Sequence, residues 1–281
     1  MLQTFQKLLP SILEAGEAVS NIYSKPFDIK WKSKNDPLTE ADLIAHKIID
    51  ESIKKYFPND FFVSEEAKID NKRLDFERIW ILDPIDGTRE FVNKNPEFAI
   101  SLGLSIKNKA NLGIIYNPIT KELIYGEVGL GVCYQIVSDK ETFQKINFSK
   151  FLTSDYSNPP KLLVSRTEFS KKEFDHPYWK DNFSITPMGS IAYKLGLIAA
   201  GKYDLAVSVK PKNEWDILAG VALIEASGGK NLILGDLSEI SFNEENLTKE
   251  GIISGNPNLI EKMIQENSDF LKSLTSPHYN E

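Results

Sequence analysis

Apolar residues recur at helical spacing over Leu2–Tyr23, with Phe5, Leu8, Leu9, Ile12, Leu13, Val19 and Ile22 on one stripe. This predicts an N-terminal packing helix, kinked or broken at Pro10, which has no amide to donate. A second stripe, Ile44, Ile48, Ile49, Ile53, Tyr56 and Phe57, predicts a helix that opens near Thr39 and stops at Pro58. The polar stretch 25–36 between them reads as a loop or ragged hairpin. Phe61–Ser64 reads as a short strand, residues 67–77 as a charged, mobile loop able to close over a site, and the apolar run 79–82 as a buried strand. Residues 98–106, 112–119, 123–128 and 131–137 alternate or are rich in β-formers and are separated by turn residues, which predicts an antiparallel meander.

Residues 138–160 are polar and end in Asn158-Pro159-Pro160, the best boundary between two lobes, 1–155 and 156–281. Beyond it, 162–166 and 203–209 read as strands. A helix over 191–200 is closed by Gly201. Ile217, Val221 and Ile224 form the stripe of a helix ended by Gly228-Gly229. Residues 232–237 and 251–254 read as strands, and Asn256-Pro257-Asn258 opens a terminal helix running to about Leu274, with a frayed tail after Ser276. Helices and strands in this order predict an α+β lobe followed by an α/β lobe.

The 281 residues suffice for two lobes with real cores. A net charge of -7 disfavours polyanions such as nucleic acid polymers, although a small phosphate ester can bind where metal ions invert the local field. No apolar run approaches the roughly 20 residues of a membrane span. The start lacks a signal-peptide pattern, and the single cysteine, Cys133, reads as a small core residue and fits a reducing cytoplasm.

The chemistry gathers at the end of the 79–82 strand. Asp83-Pro84-Ile85-Asp86-Gly87-Thr88 sets two carboxylates three residues apart, then a glycine that admits close backbone approach, then a hydroxyl. Strand ends in α/β sheets are where ligands sit. Two carboxylates held together need protons or a cation, and oxygen donors with almost no His or Cys nearby suit Mg²⁺ better than Zn²⁺. The same residues also make an ordinary turn. Thr39 and Asp42 resemble a capping box. Asp216 stands at a helix start, where a carboxylate is favoured. Glu65-Glu66 is a common solvated pair, and Lys32 and Lys34 are favoured as solvated loop lysines, although Lys32 stands at about the distance before the next motif where a lysine occurs in the family that the motifs below resemble. Ser165-Arg166 ends a strand. Gly189-Ser190 offers free amides to an anion at a helix start, with Lys194 one turn in. His46, His176 and His278 form no spaced pair and take no metal role.

Thr39-x-x-Asp42, Ser64-Glu65-Glu66, Asp83-Pro84-Ile85-Asp86-Gly87-Thr88 and Trp215-Asp216-Ile217-Leu218-Ala219-Gly220 occur together and in order, and the chain resembles the inositol monophosphatase superfamily over nearly its whole length. These are Mg²⁺-dependent, lithium-sensitive phosphomonoesterases. The resemblance implies a layered αβαβα sandwich. It implies Glu65, Asp83, the Ile85 carbonyl, Asp86 and Asp216 as ligands of two or three Mg²⁺ ions, with direct attack by water. Asp42, Glu65 and Thr88 would be catalytic, Asp42 and Thr88 together orienting that water. The Gly87 and Thr88 amides would hold the phosphate, with Asp86 and Asp216 also facing the substrate.

Arg89-Glu90-Phe91 is similar to the Lys-Glu-Phe of the CysQ-like 3'(2'),5'-bisphosphate nucleotidases. In that subgroup a Ser-Arg like Ser165-Arg166 lies near the substrate, and a motif like Gly189-Ser190…Lys194, here one residue longer, touches the nucleotide. The implied reaction is hydrolysis of 3'-phosphoadenosine 5'-phosphate to AMP and phosphate. The sugar-reading Glu of the inositol phosphatases falls at Ser208 or Val209. The Arg that nucleotidases carry near there is also missing, with Lys210 as its substitute. An inositol-1-monophosphatase or broad sugar-phosphate phosphatase is the alternative, and a non-catalytic phosphate-ligand binder a third reading. Monomer and homodimer both fit.

Overall fold

The computed structural model describes residues 2–33, 36–137 and 155–275. Lys34, His278, the tail after Ser276 and most of the expected lobe boundary lie outside these.

The chain begins with helix α1 (Leu2–Tyr23), the hairpin strands β1 (Ile29–Ser33) and β2 (Asp36–Thr39), and helix α2 (Glu40–Tyr56). Next come β3 (Phe61–Ser64), a 3₁₀ turn (Asn71–Asp75), β4 (Arg78–Asp86) and the short α3 (Thr88–Val92). The meander follows as β5 (Ala99–Ile106), β6 (Lys109–Asn117), β7 (Glu122–Glu127) and β8 (Gly131–Ile136). The second half holds β9 (Lys161–Ser165), α4 (Arg166–Ser170), α5 (Pro177–Asn182), β10 (Ser184–Met188), α6 (Ile191–Ala199), β11 (Leu205–Ser208), β12 (Lys212–Asn213) and α7 (Glu214–Ala226). It closes with β13 (Lys230–Ile233), β14 (Thr248–Lys249), β15 (Ile252–Gly255) and α8 (Pro257–Ser273).

These elements stack in five layers. α1 and α2 cover one face of a six-stranded sheet, β3-β4-β5-β6-β7-β8, which is antiparallel except for the parallel β3–β4 pair. α6 and α7 fill the space between its other face and a five-stranded sheet, β10-β9-β11-β15-β13. α5 and α8 cover the far face of that second sheet. Strand alternation sorts β4 between the layers: Trp80 and Leu82 join the α1/α2 core, while Ile79 and Ile81 join the central one. This is the αβαβα sandwich. The middle core draws residues from both sides of residue 155, so the two segments share it.

α7 is buried all round, from Ile217 to Ile224, and not along a stripe. It can lie so deep because Gly103, Gly113 and Gly126 stand side by side on β5, β6 and β7 and make a furrow under it. A Cβ on Gly103 would come within 2.6 Å of Leu218, and one on Gly113 would strike the Ala219 carbonyl.

Three expectations are corrected, and one is narrowed. α1 runs unbroken through Pro10, because Pro10 and the Gln6 carbonyl it leaves unpaired are both at exposed positions open to water. Of the two readings of the 25–36 stretch, loop or ragged hairpin, the hairpin holds: β1 and β2 pair antiparallel, with an irregular register between Trp31 and Ser33. The 232–237 strand ends at Ile233, where the chain turns back and Leu237 takes a φ of 61°. The 67–77 segment is anchored: Arg73 is 1% exposed and bonded to Asn243.

Candidate active site

β4 runs past its apolar stretch to Asp86, so Asp83-Pro84-Ile85-Asp86 is strand and not a simple turn. Its register against β5 shifts between Asp83 and Asp86, and Asp83 Oδ1 accepts from the Ile85 amide at 2.9 Å. In a regular strand residues three apart face opposite sides. The irregularity lets both carboxylates reach one point. Asp216 meets them there from the start of α7, and oxygens of the three acids lie within 4.8 Å of one another. Gly87 follows with a φ of 99°, a left-handed conformation that favours glycine. A Cβ there would also crowd the Glu97 carbonyl and Phe98 at 3.1 Å.

Burial pushes all three carboxyls up. Asp83 rises well above its ordinary value, reinforced by the charges of Glu65, Asp86 and Asp216. Asp86 rises less, because Ser190 Oγ and the Ala192 amide both donate to its Oδ2 at 2.5 Å. Asp216 is pushed up to about 8 by burial and by Asp86, against the Asn213 amide that donates to it at 2.9 Å. Three acids so placed repel one another, and protons or a cation relieve that repulsion. The donors are all oxygen, which fits a hard divalent ion such as Mg²⁺. His46 instead bonds Ser64, and His176 caps α5.

The predicted Asp42–Thr88 pair is in contact. Thr88 Oγ1 lies 3.3 Å from Asp42 Oδ1 and 3.0 Å from the Ile85 carbonyl. Asp42 accepts from the Thr39 amide and hydroxyl in the capping box. Burial lifts its carboxyl to about 6, against those two bonds. Glu65 lines the same cavity but stands outside the 4.8 Å triad. Lys32 is not a solvated loop lysine: Nζ lies 2.8 Å from Glu65 Oε1 and 2.5 Å from Glu66 Oε1. Burial opposes the Lys32 charge, yet the two glutamates outweigh it and raise its pKa.

The cavity at these acids measures about 330 Å³. Besides the acids it is lined by Arg166, Lys194 and Lys212. Arg166 sits at the lip, bonded to Glu97. Lys194 is 2% exposed and donates to the Met188 and Gly189 carbonyls at 3.0 Å each. Burial lowers its pKa to about 8, with Asp86 opposing the shift.

The Gly189-Ser190 donors are not open to an incoming anion. Gly189 gives its amide to Glu97 Oε2 at 2.7 Å, and Ser190 and Ala192 are engaged by Asp86. Lys210 turns away to Glu173 at 2.9 Å and does not line the cavity. Lys212 does, and Glu168 grips its stretch, accepting from Ser208 Oγ at 2.7 Å, the Val209 amide at 3.0 Å and Lys212 Nζ at 3.4 Å. Glu97, Glu168 and Lys212 were missed, since nothing local sets each apart from an ordinary surface charge. Only Lys212, four residues before Asp216, carried any positional signal.

The family model for the inositol monophosphatase family matches residues 2–270. The chain belongs to the inositol monophosphatase family. Family members are metal-dependent phosphatases, and the chain is accordingly a phosphoric monoester hydrolase. It is 30% identical over 217 residues to the 3'(2'),5'-bisphosphate nucleotidase CysQ of Escherichia coli K12, covering 76% of this chain and 84% of that protein. It is 31% identical over 219 residues to inositol monophosphatase 3 of Solanum lycopersicum, covering 77% and 80%. The crystal structure of CysQ from Bacteroides thetaiotaomicron superposes with a TM-score of 0.73 at 27% identity, over 90% of this chain and 97% of that one. Among the described residues no helix is long and apolar enough to cross a membrane.

Proposed function

We propose that the protein is a Mg²⁺-dependent phosphomonoesterase acting on 3'-phosphoadenosine 5'-phosphate, with AMP and phosphate as products. One observation carries the reading: the carboxylates Asp83, Asp86 and Asp216 and the cations Arg166, Lys194 and Lys212 line one cavity. A substrate with a scissile phosphate at the acids and a second phosphate at the cations fits both groups.

Asp83, Asp86 and Asp216 would hold the ions, with Glu65 and the Ile85 carbonyl beside them. When bound there, such an ion would supply a water of lowered pKa and positive charge for the leaving oxygen. Thr88 can give its proton to Asp42 and accept one from the attacking water. Asp42, at about 6, lies in the range suited to taking up a relayed proton near neutral pH. Lys32 holds Glu65 in place. Arg166 and Lys212 offer partners for a second phosphate, and Lys212 replaces Lys210 in that role.

The 31% identity to a tomato inositol monophosphatase favours a second reading, an inositol or sugar-phosphate phosphatase. Against it, Ser208 and Val209 are buried and bound to Glu168, and they cannot read sugar hydroxyls. Phosphate release with Mg²⁺ from 3'-phosphoadenosine 5'-phosphate, inositol 1-phosphate and fructose 1,6-bisphosphate separates the two. The nucleotide reading expects a kcat/KM preference of about a hundredfold, equivalent to about 2.7 kcal/mol. A flat profile or an inositol preference would refute it. No turnover of any phosphomonoester would leave a non-catalytic binder.

A further inference from the structure

Arg73 lies in the 3₁₀ turn (Asn71–Asp75), a few residues beyond Glu65, and is 1% exposed. Its Nη1 donates to Asn243 Oδ1 at 2.8 Å, and its Nη2 to the carbonyls of Glu244 and Glu245 at 2.6 and 3.0 Å. Asn243 returns a bond from Nδ2 to the Arg73 carbonyl at 3.1 Å. The partners are 170 to 172 residues away in sequence. The guanidinium Nε is buried without a partner among the described residues.

The far end of this junction is the root of α7. Asn243 gives its amide to Glu214 Oε2 at 2.7 Å. Glu214 is 0% exposed, and its Oε1 meets Lys249 Nζ at 3.1 Å. β14 pairs with β12 just before α7, Lys249 against Lys212 and Thr248 against Asn213. Asn213 then donates its amide to Asp216. One guanidinium thus staples the segment leading from Glu65 to the segment that seats Asp216.

A buried ionic network of this kind is weak support for stability, since desolvation offsets the attraction. Its value lies in geometry, because the planar fork fixes several acceptors at once. From this geometry we infer that Arg73 is a positioning residue for the divalent-cation site, fixing the separation between the segments that carry Glu65 and Asp216. The inference rests on the metal reading above.

The test is direct Mn²⁺ uptake, read by electron paramagnetic resonance of the free ion, without substrate and well below the unfolding temperature. Arg73→Lys keeps the charge but loses the fork, and carries the test should Arg73→Leu fail to fold. Arg78→Leu is the control, since it removes a half-exposed guanidinium from Asp60 at 3.0 Å and leaves Asp60 its bond from Trp80 Nε1. Arg73→Lys should weaken Mn²⁺ binding about tenfold, the lower end for outer partners of metal ligands. Its KM at saturating metal should hold, and Arg78→Leu should bind Mn²⁺ as the wild type does. Unchanged affinity in Arg73→Lys would overturn the inference alone. A wild-type protein that takes up no Mn²⁺ would overturn the metal reading, and the inference with it.

Discussion

Asp42 gives the sharpest quantitative test, because it titrates inside the site without belonging to the carboxylate triad. It is 1% exposed, and burial lifts its carboxyl from 3.8 to about 6. The unfolded chain releases this proton near 3.8, so between the two values the folded chain holds a proton that the unfolded one has lost. The stability contributed by Asp42 is therefore full below about 3.8 and declines as pH rises through about 6. The whole span corresponds to about 3 kcal/mol, and about 2 kcal/mol of it falls between about pH 4.5 and about pH 7.5. Asp42→Asn removes the titration while keeping an oxygen for the Thr39 donors.

The assay is urea unfolding of wild type and variant in EDTA, followed by tryptophan fluorescence across that range. Relative to wild type, the variant should gain about 2 kcal/mol as pH rises. A difference that stays flat, or that favours the wild type at high pH, would show that Asp42 is not held protonated by burial. In wild type the decline should continue toward pH 8, where Asp216 still holds its proton. Millimolar Mg²⁺ should flatten that later part by replacing the protons.

Asp86→Asn should keep its fold and its bonds from Ser190 and Ala192, yet lose at least about a hundredfold in turnover at saturating Mg²⁺; near-normal turnover would remove Asp86 from the metal site. Lys212→Met should cost about ten- to a hundredfold in kcat/KM on 3'-phosphoadenosine 5'-phosphate, the value of a hydrogen bond to a charged group. The cost on a monophosphate should be negligible, and Lys210→Met should be neutral on both. Gly189→Ala places a methyl against the Glu90 side chain. It should destabilise by about 1–3 kcal/mol in thermal unfolding, and Glu90→Ala in the same chain should recover most of that.

The residues that could be read from sequence were those whose signal is local. The meander strands alternate, Thr39–Asp42 and Asn256 are caps within three residues of their targets, and the Asp83–Thr88 and Trp215–Gly220 motifs are contiguous. The residues that could not be read depend on distant partners. Glu97 meets Arg166 and Gly189, and Arg73 meets residues 243–245, so in sequence each is only a charge in a polar stretch. Lys32 was misjudged for the same reason, since its glutamates are 33 and 34 residues on. α7 was read as a striped helix although its sequence from Ile217 to Ile224 offers no polar face, and the glycines beneath it only align once the strands pair.

That alignment reaches the chemistry. Asp83 and Asp86 ride on the sheet, while Asp216 rides on the helix lying in the furrow of Gly103, Gly113 and Gly126. The spacing of the three acids is therefore gauged by atoms that are absent. One methyl at Gly113 would lift the helix off the strands and draw Asp216 away from its partners, well outside the site. The geometry these acids would offer a cation is thus set in the floor of the sandwich, at glycines that belong to none of them.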